Sequence, residues 1–280
     1  MSFPIIINSN NKVSNNTFKV QLASSIDLND YAVSVGSAYV YYSWYNINST
    51  PLNNNVFNLI IPDTPTSVGY VITIPDGAYN ISDLNNYLQY WLISQGMYIT
   101  NNTTGINTYY CSFSISPTTY SVQFTTTPLP TSLPSGYTAG SGIYFPASAN
   151  QHYQLIVLSD NNFKDIIGFN AGTYPASATN VGVQTKNSDY VPNVNPISAV
   201  QMRLSCVYNQ FSTNSQLIHV FTNGDSAVGQ IINASPIELQ YVPCTGAHKE
   251  ITLSFYDQLG NVLNMLDSNI TIKLIFKKIN

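Results

Sequence analysis

The stretch Phe18-Lys19-Val20-Gln21-Leu22 puts Phe18, Val20 and Leu22 on one side of an extended chain and Lys19 and Gln21 on the other. That alternation is the mark of a β-strand with one face on a core and one turned to water or to a partner. Thr252-Leu253-Ser254-Phe255-Tyr256 alternates in much the same way. Working outward from these two, short runs rich in Val, Ile, Tyr, Phe and Thr recur between clusters of Asn, Pro, Gly and Ser. They predict strands over 3–7, 17–22, 32–42, 56–61, 69–74, 109–115, 120–126 and 153–158. The last third adds 200–208, 217–221, 237–242, 251–256 and 270–276. Many short strands at fairly even spacing predict an all-β chain, a sandwich or a barrel.

One segment departs from period two. Leu84, Tyr87, Leu88, Trp91 and Leu92 fall at helical spacing, with Ser82 as N-cap, Asp83 in the first turn and Gly96 as the stop. A second, shorter helix is predicted over 160–167, ended by Gly168. The Pro-, Thr-, Ser- and Gly-rich stretches 125–145 and 171–195 read as long loops. No repeat and no domain boundary stands out, so 1–280 reads as one domain with 97–153 as an insertion between strands.

Composition narrows the function classes. Only 8% of the residues are charged, against about 25% in an ordinary soluble domain, while 44% are apolar. There are 21 Tyr and 12 Phe against 9 Lys and Arg and 13 Asp and Glu, which gives a net charge of −4. Nucleic-acid grooves need clustered basic side chains to displace counterions, so the charge argues against nucleic acid as a primary partner. Protein–protein interface cores are depleted in charge and enriched in Tyr and Phe, so much of this surface reads as made to be covered by protein. The densest basic group, Lys273, Lys277 and Lys278, reads as a solubilising end to the last strand. No apolar stretch reaches the roughly 18 residues of a membrane span, and residues 1–8 lack the pattern of a secretory leader. Cys111, Cys206 and Cys244 form no C-x-x-C pair and read as small buried residues with reduced thiols.

The search for chemistry nominates nothing. His152, His219 and His248 lie far apart and show no metal-ligand spacing. Cys244 and His248 are near in sequence, but a strand-end turn with no flanking signature is a poor home for a nucleophilic pair. The acids nominate no glycosidase pair, and Asp76 and Asp267 read as turn residues bonding their own backbone. Gly140-x-Gly142 lacks the strand–turn–helix setting of a phosphate loop, and 257–267 lacks calcium-loop spacing. No catalytic residue, cofactor or metal is therefore expected.

Three stretches carry a family resemblance. Ile74-Pro75-Asp76-Gly77-Ala78-Tyr79-Asn80-Ile81-Ser82-Asp83-Leu84-Asn85, a strand running into a capped helix, is the first. The second is Ile167-Gly168-Phe169-Asn170-Ala171-Gly172-Thr173-Tyr174-Pro175. The third joins Phe255-Tyr256-Asp257-Gln258-Leu259-Gly260-Asn261 to Leu266-Asp267-Ser268-Asn269-Ile270. With Trp44-Tyr45-Asn46-Ile47 as an early aromatic segment, their order and spacing resemble the penton, or minor capsid, proteins of virophages and Polinton-like viruses. The resemblance implies a single jelly-roll antiparallel β-sandwich with one or two short helices and long loop insertions. It implies a virion protein, assembled inside the host cell, that forms homopentamers at the fivefold vertices of an icosahedral shell and contacts the major capsid protein. The motif residues are then structural: Pro75, Asp76, Gly77, Tyr79, Asp83, Leu84, Gly168, Phe169, Gly172, Tyr174, Asp257, Gly260 and Asp267. Residues 97–153 match the family least and read as an outward-facing elaboration. The rival reading is a jelly-roll module binding host-surface glycan, with Tyr137 or Tyr144 on long loops stacking on sugars.

Overall fold

The computed structural model describes residues 1–62 and 68–279. The chain forms two compact units, one from Met1–Tyr45 with Ile197–Asn280 and the other from Asn46–Pro196. In chain order the first unit opens with β1 (Ser2–Asn8), β2 (Lys12–Ser14), β3 (Thr17–Asp27) and β4 (Tyr31–Tyr41). The second unit begins with β5 (Val56–Ile61), β6 (Val68–Thr73), α1 (Ile81–Ser94), β7 (Ile99–Asn101) and β8 (Asn107–Thr108). It continues through β9 (Cys111–Ile115), β10 (Val122–Thr126), β11 (Tyr137–Ala139) and β12 (Gln154–Val157), then closes with α2 (Phe163–Ile167), β13 (Gly172–Tyr174) and β14 (Gln184–Asn187). The chain then returns to the first unit as β15 (Val200–Leu204), β16 (Leu217–Phe221), β17 (Ile231–Asn233), β18 (Val242–Pro243), β19 (Ala247–Asp257) and β20 (Ile270–Lys278).

The first unit is a jelly roll. One sheet runs β1-β20-β4-β17, with β18 also paired to β4, and the other runs β16-β15-β19-β3-β2. Leaving aside the short β2 and β18, eight strands remain, in spatial order first-eighth-third-sixth and fifth-fourth-seventh-second. That is the order of a double-sheet jelly roll, two Greek keys folded face to face. The register carries the apolar alternation inward. In β20, Ile270, Ile272, Leu274 and Phe276 are buried while Thr271, Lys273 and Lys277 face out. Against them from the other sheet pack Phe18, Met202, Leu253 and Phe255, with Phe18 and Phe255 edge to face at 5.9 Å. Lys273 and Lys277 therefore ride on the outer face of a strand flanked by β1 and β4, not on an edge.

The second unit has its own core. Its sheets are β13-β12-β5-β6, β14-β10-β9 and β11-β7-β8. Ile47, Phe57, Leu59, Ile72, Leu88, Phe124 and Phe163 are among its buried residues. The sequence pattern reads as one domain with 97–153 as an insertion between strands. The segment that leaves the jelly roll spans Asn46–Pro196, because residues 46–96 already bury their apolar faces in the second core.

Helix α1 buries Ile81, Leu84, Leu88 and Leu92, with Tyr87 and Trp91 half-buried at its flank. Its cap is Asn80 rather than Ser82: Asn80 Oδ1 accepts from the Asp83 N–H at 2.9 Å and Asp83 Oδ2 from the Asn80 N–H at 3.0 Å. This capping box satisfies two helix-end donors, which Ser82 at its position inside the helix does not do. Gly96 and Gly168 stop the two helices at φ +70° and +73°. Three other expectations change. Residues 237–242 form no strand beyond the two-residue β18, and Ile237 and Leu239 are exposed, with no partner strand beside them. The strand expected over 200–208 ends at Leu204. The stretches 125–145 and 171–195 are not plain loops, since they hold β11, β13 and β14.

Replacing Phe255 by Ala removes a fully buried ring from the jelly-roll core and is expected to cost about 3–5 kcal/mol. Phe211→Ala, at a side chain 91% exposed, is expected to stay within about 0.5 kcal/mol. Urea denaturation of the two variants measures the contrast.

Candidate functional site

The three histidines are held by hydrogen bonds to backbone carbonyls. His152 is buried, with Nε2 donating to the Asn180 carbonyl at 2.9 Å and Nδ1 2.8 Å from the Thr126 hydroxyl. His219 Nε2 donates to the Ala234 carbonyl at 2.8 Å, and burial lowers its pKa against the pull of that carbonyl. His248 bonds the Thr245 carbonyl at 2.6 Å rather than Cys244. The Cys244 thiol is pushed far up by the neighbouring Cys206 and by burial, the opposite of an activated nucleophile. Among the described residues no three His, Cys, Asp or Glu side chains gather where a metal ion would sit. None of their helices is long and apolar enough to cross a membrane.

Two of the sequence motifs meet. Trp44 is buried in the first core and Ile47 in the second. Ile47 and Gly77 exchange backbone hydrogen bonds at 2.9 and 3.1 Å, which ties the start of the second unit to the 74–85 motif. Buried Asn46 completes the clip. Its Nδ2 donates to the carbonyls of Tyr79 and Val194, both at 2.7 Å, and its Oδ1 accepts from the Tyr79 N–H at 2.9 Å. Asn54 Nδ2 donates to the Asn46 carbonyl at 2.8 Å, and Asn55 Nδ2 to that of Ile74 at 3.1 Å. Asp76 accepts from the Ser49 N–H at 2.9 Å, so it staples two loops instead of closing its own turn. Pro75 has no N–H and stands just past the end of β6, while Asp83 and Leu84 serve the cap and the buried face of α1.

The 167–175 motif pins the segment after β14. A Cβ on Gly168 would sit 2.4 Å from the Tyr190 carbonyl oxygen, and its φ of +73° is one that side chains avoid. The Gly168 carbonyl accepts from the N–H groups of Asp189 and Tyr190. Phe169 is fully buried and meets the Tyr174 ring edge-on at 5.2 Å. Gly172 and Tyr174 pair with Val157 and Leu155 in β12. Asp189 takes the Asn170 N–H at 2.9 Å, the Tyr174 hydroxyl at 3.4 Å and the Lys186 ammonium. Burial alone would raise this carboxyl, but Lys186, the Asn170 N–H and the Tyr174 hydroxyl together hold it below its usual value. Tyr190 donates to Asp165 Oδ1 at 3.0 Å, and burial, then Asp165, push its hydroxyl up to about 12.

The third motif closes two turns. Buried Asp257 accepts from the N–H groups of Leu259 and Asn261 at 2.9 and 2.8 Å and from Asn261 Nδ2 at 2.9 Å, with Gly260 at φ +86° completing the bend. Asp267 accepts from the Asn269 N–H at 2.8 Å and turns the chain into β20. The motif residues thus act within their own units as cap, clip and turn, and none gathers around a reacting centre.

What the jelly-roll unit offers outward is apolar surface with little charge. On the outer face of the β1-β20-β4-β17 sheet, Ile6, Tyr39 and Ile231 are exposed, beside a cleft of about 350 Å³ lined by Asn8, Tyr39, Tyr41, Ile231 and Thr271. Strand β16 stands at the end of its sheet. A second cleft of about 580 Å³ there is lined by Leu217, Val220, Pro236, Ile237, Glu238 and Gln240. The sequence pattern had placed Ile237 and Leu239 in a strand, where alternation reads as burial. The same alternation beside proline also marks a segment held at the surface. For the glycan reading, Tyr137 lies half-buried in β11 and Tyr144 is half-buried too.

No family model and no curated protein matches the sequence. Among solved structures the chain is similar to the mavirus penton protein at 14% identity and a TM-score of 0.46, covering 99% of this chain and 98% of that one. It is similar to a chain of the Sputnik virophage structure at 14% identity and a TM-score of 0.42, covering 100% and 98%.

Gly168→Ala is expected to destabilise the second unit by about 1–3 kcal/mol, read by denaturation. The depressed pKa of Asp189 contributes stability that is present above the ordinary carboxylate value near 4 and is lost as pH falls through the folded value. Asp189→Asn is therefore expected to be less stable than the natural chain at pH 6, with the gap narrowing below about pH 4. Urea midpoints for both proteins across pH 2.5 to 6 test this.

Proposed function

We propose that this chain is a structural capsid protein, the penton that closes the fivefold vertices of an icosahedral shell as a homopentamer and meets the major capsid protein around it. Its place is then the virion vertex, reached by assembly inside the host cell. The observation that carries this is the outside of the jelly-roll unit, where two different patches hold exposed Ile6, Tyr39 and Ile231 in one place and Val220, Ile237 and Leu239 in another. A ring closed by a cyclic axis joins one patch to a different patch on the next copy. Interface cores are poor in charge, because a charge removed from water without ideal partners costs more than its pairing returns. The four sequence motifs add the family resemblance, and the residues in them build a jelly roll and a second unit instead of a catalytic cleft. No catalytic role is proposed for any residue.

Light scattering behind a sizing column is the test. The purified protein is expected at about five times its 30.8 kDa chain mass. A monomer at micromolar concentration would overturn the self-assembling ring. Ile237→Glu places a charge on a fully exposed residue, so the thermal midpoint of the isolated chain should stay put while the oligomer falls to monomer.

A further inference from the structure

Asn223-Gly224 is the one Asn-Gly pair in the chain, and it lies in the loop between β16 and β17 of the jelly-roll unit. The pair opens a tight turn, in which the Ser226 N–H donates to the Asn223 carbonyl at 3.0 Å and Gly224 takes φ +54°. Gly224 and Asp225 are exposed, and a Cβ on Gly224 would meet nothing within 4 Å. Among the described residues no group bonds the Asn223 carboxamide. The Gly224 N–H has the Thr222 hydroxyl at a long 3.3 Å.

A side-chain amide is open to attack by the next backbone nitrogen when that next residue is small and both groups are free to move. Comparable pairs elsewhere are tied down. Asn8, Asn48, Asn187 and Asn214 each precede a serine, and each has its amide oxygen engaged. Their donors are the N–H groups of Asn10, Leu52 and Gln216 and, for Asn187, the Gln123 side chain. At Asp76-Gly77 the carboxylate takes the Ser49 N–H, and the Gly77 N–H donates to the Ile47 carbonyl, both at 2.9 Å.

We propose that Asn223 is a site of spontaneous deamidation in the folded protein, converting to aspartate and isoaspartate ahead of every other asparagine. The Gly224 nitrogen gives its proton to hydroxide and attacks Asn223 Cγ. The new C–N bond closes a succinimide ring as the bond from Cγ to its amide nitrogen breaks, and ammonia leaves. Water then opens the ring at either carbonyl. In sum, one carboxamide and one water become one carboxylate and one ammonium ion. The turn assists the first step: losing the Gly224 proton throws charge onto the Asn223 carbonyl oxygen, where the Ser226 N–H already donates. The product adds one negative charge beside Asp225 to a chain whose formal charge is −4. Opening toward isoaspartate also runs the backbone through the former side chain. This inference stands apart from the assembly reading.

The purified full chain is held at pH 6 and at pH 8.5 over several weeks, and samples are digested in mild acid and mapped by mass spectrometry. A methyltransferase specific for isoaspartate then labels the peptides. The peptide holding residue 223 is expected to gain the mass that separates a carboxyl from a carboxamide and to take the label, faster at pH 8.5. In the same samples the peptides of the four Asn-Ser pairs should stay unchanged, and should begin to convert when the chain is unfolded in urea. Isoelectric focusing is expected to show one new acidic band, absent from Asn223→Gln. Gly224→Ala is expected to slow the reaction about tenfold, a rise of roughly 1.4 kcal/mol in its barrier. An unconverted Asn223 at pH 8.5, another asparagine converting first in the folded chain, or the same acidic band in Asn223→Gln would each overturn the proposal.

Discussion

The jelly-roll unit depends on the place of its last strand. β20 lies between β1 and β4, with Phe276 opposite both Phe3 and Val33 and Ile272 opposite both Ile7 and Ala38. Those registers set which face of three strands is apolar. A slip of one residue would turn Ile270, Ile272, Leu274 and Phe276 to solvent and bring Lys273 and Lys277 inward. The strand order also explains how the chain can leave the unit after β4 and return at β15. The partners of β4 are β20, β17 and β18, all drawn from the C-terminal part, so its ladder does not need the next segment of chain. Long-range pairing of this kind closes large loops, and the entropic cost grows only slowly with loop length. An inserted unit with its own core is tolerated at such a point.

A chain with so little charge must satisfy its buried polar groups in another way. Among the described residues two ion pairs form, Lys19 with Glu250 and Lys186 with Asp189. The work elsewhere falls to amides and hydroxyls. Asn46, Asn54 and Asn55 are buried and bond backbone groups that would otherwise be stranded where the second unit begins. Buried Asp257 takes N–H donors instead of a cation. Neutral amide bonds such as those of Asn46, Asn54 and Asn55 return about 1 kcal/mol each, and losing one partner inside costs more than that. The composition that reads as unreactive is therefore specific: each buried Asn here is matched to particular donors and acceptors.

The sequence made the jelly-roll strands and α1 readable because their packing faces repeat with period two or with helical spacing. Ile270 to Phe276 and Leu84 to Leu92 are buried as their spacing says. The two-unit division was not readable, since the same mix of Asn, Ser, Thr and Tyr runs through both units and no linker marks the passage at 45–46 or 196–197. Short strands such as β11, β13 and β14 escaped for a different reason. Their residues have little apolar face of their own, and it is the partner strand that makes them strands: Thr185 becomes one by lying opposite Thr125. Of the motif residues, Asp83 and Asp267 act close to where they stand in sequence, at the cap of α1 and in the turn into β20, whereas Gly168 both ends α2 and meets Asp189 and Tyr190 some twenty residues on. The meeting of Ile47 with Gly77 and of Asp76 with Ser49 joins distant loops, and nothing local announces it.

The outside of the jelly-roll unit carries several large apolar side chains, among them Ile6, Tyr39, Val220, Ile237 and Leu239. A free protein stays dispersed through charge on its outside, and a net charge of −4 spread over 280 residues supplies little of it. The few cations are not gathered at an end. Lys273 stands on the sheet face beside exposed Ile6, and Lys277 lies over the Tyr241 ring at 5.5 Å. Long cationic side chains of this sort cover apolar surface with their stems while their ammonium groups stay wet. They can swing aside when another surface arrives, which a buried ion pair cannot do without loss. An outer face of Tyr, Ile and Thr with a few such lysines is costly to leave in water and cheap to cover.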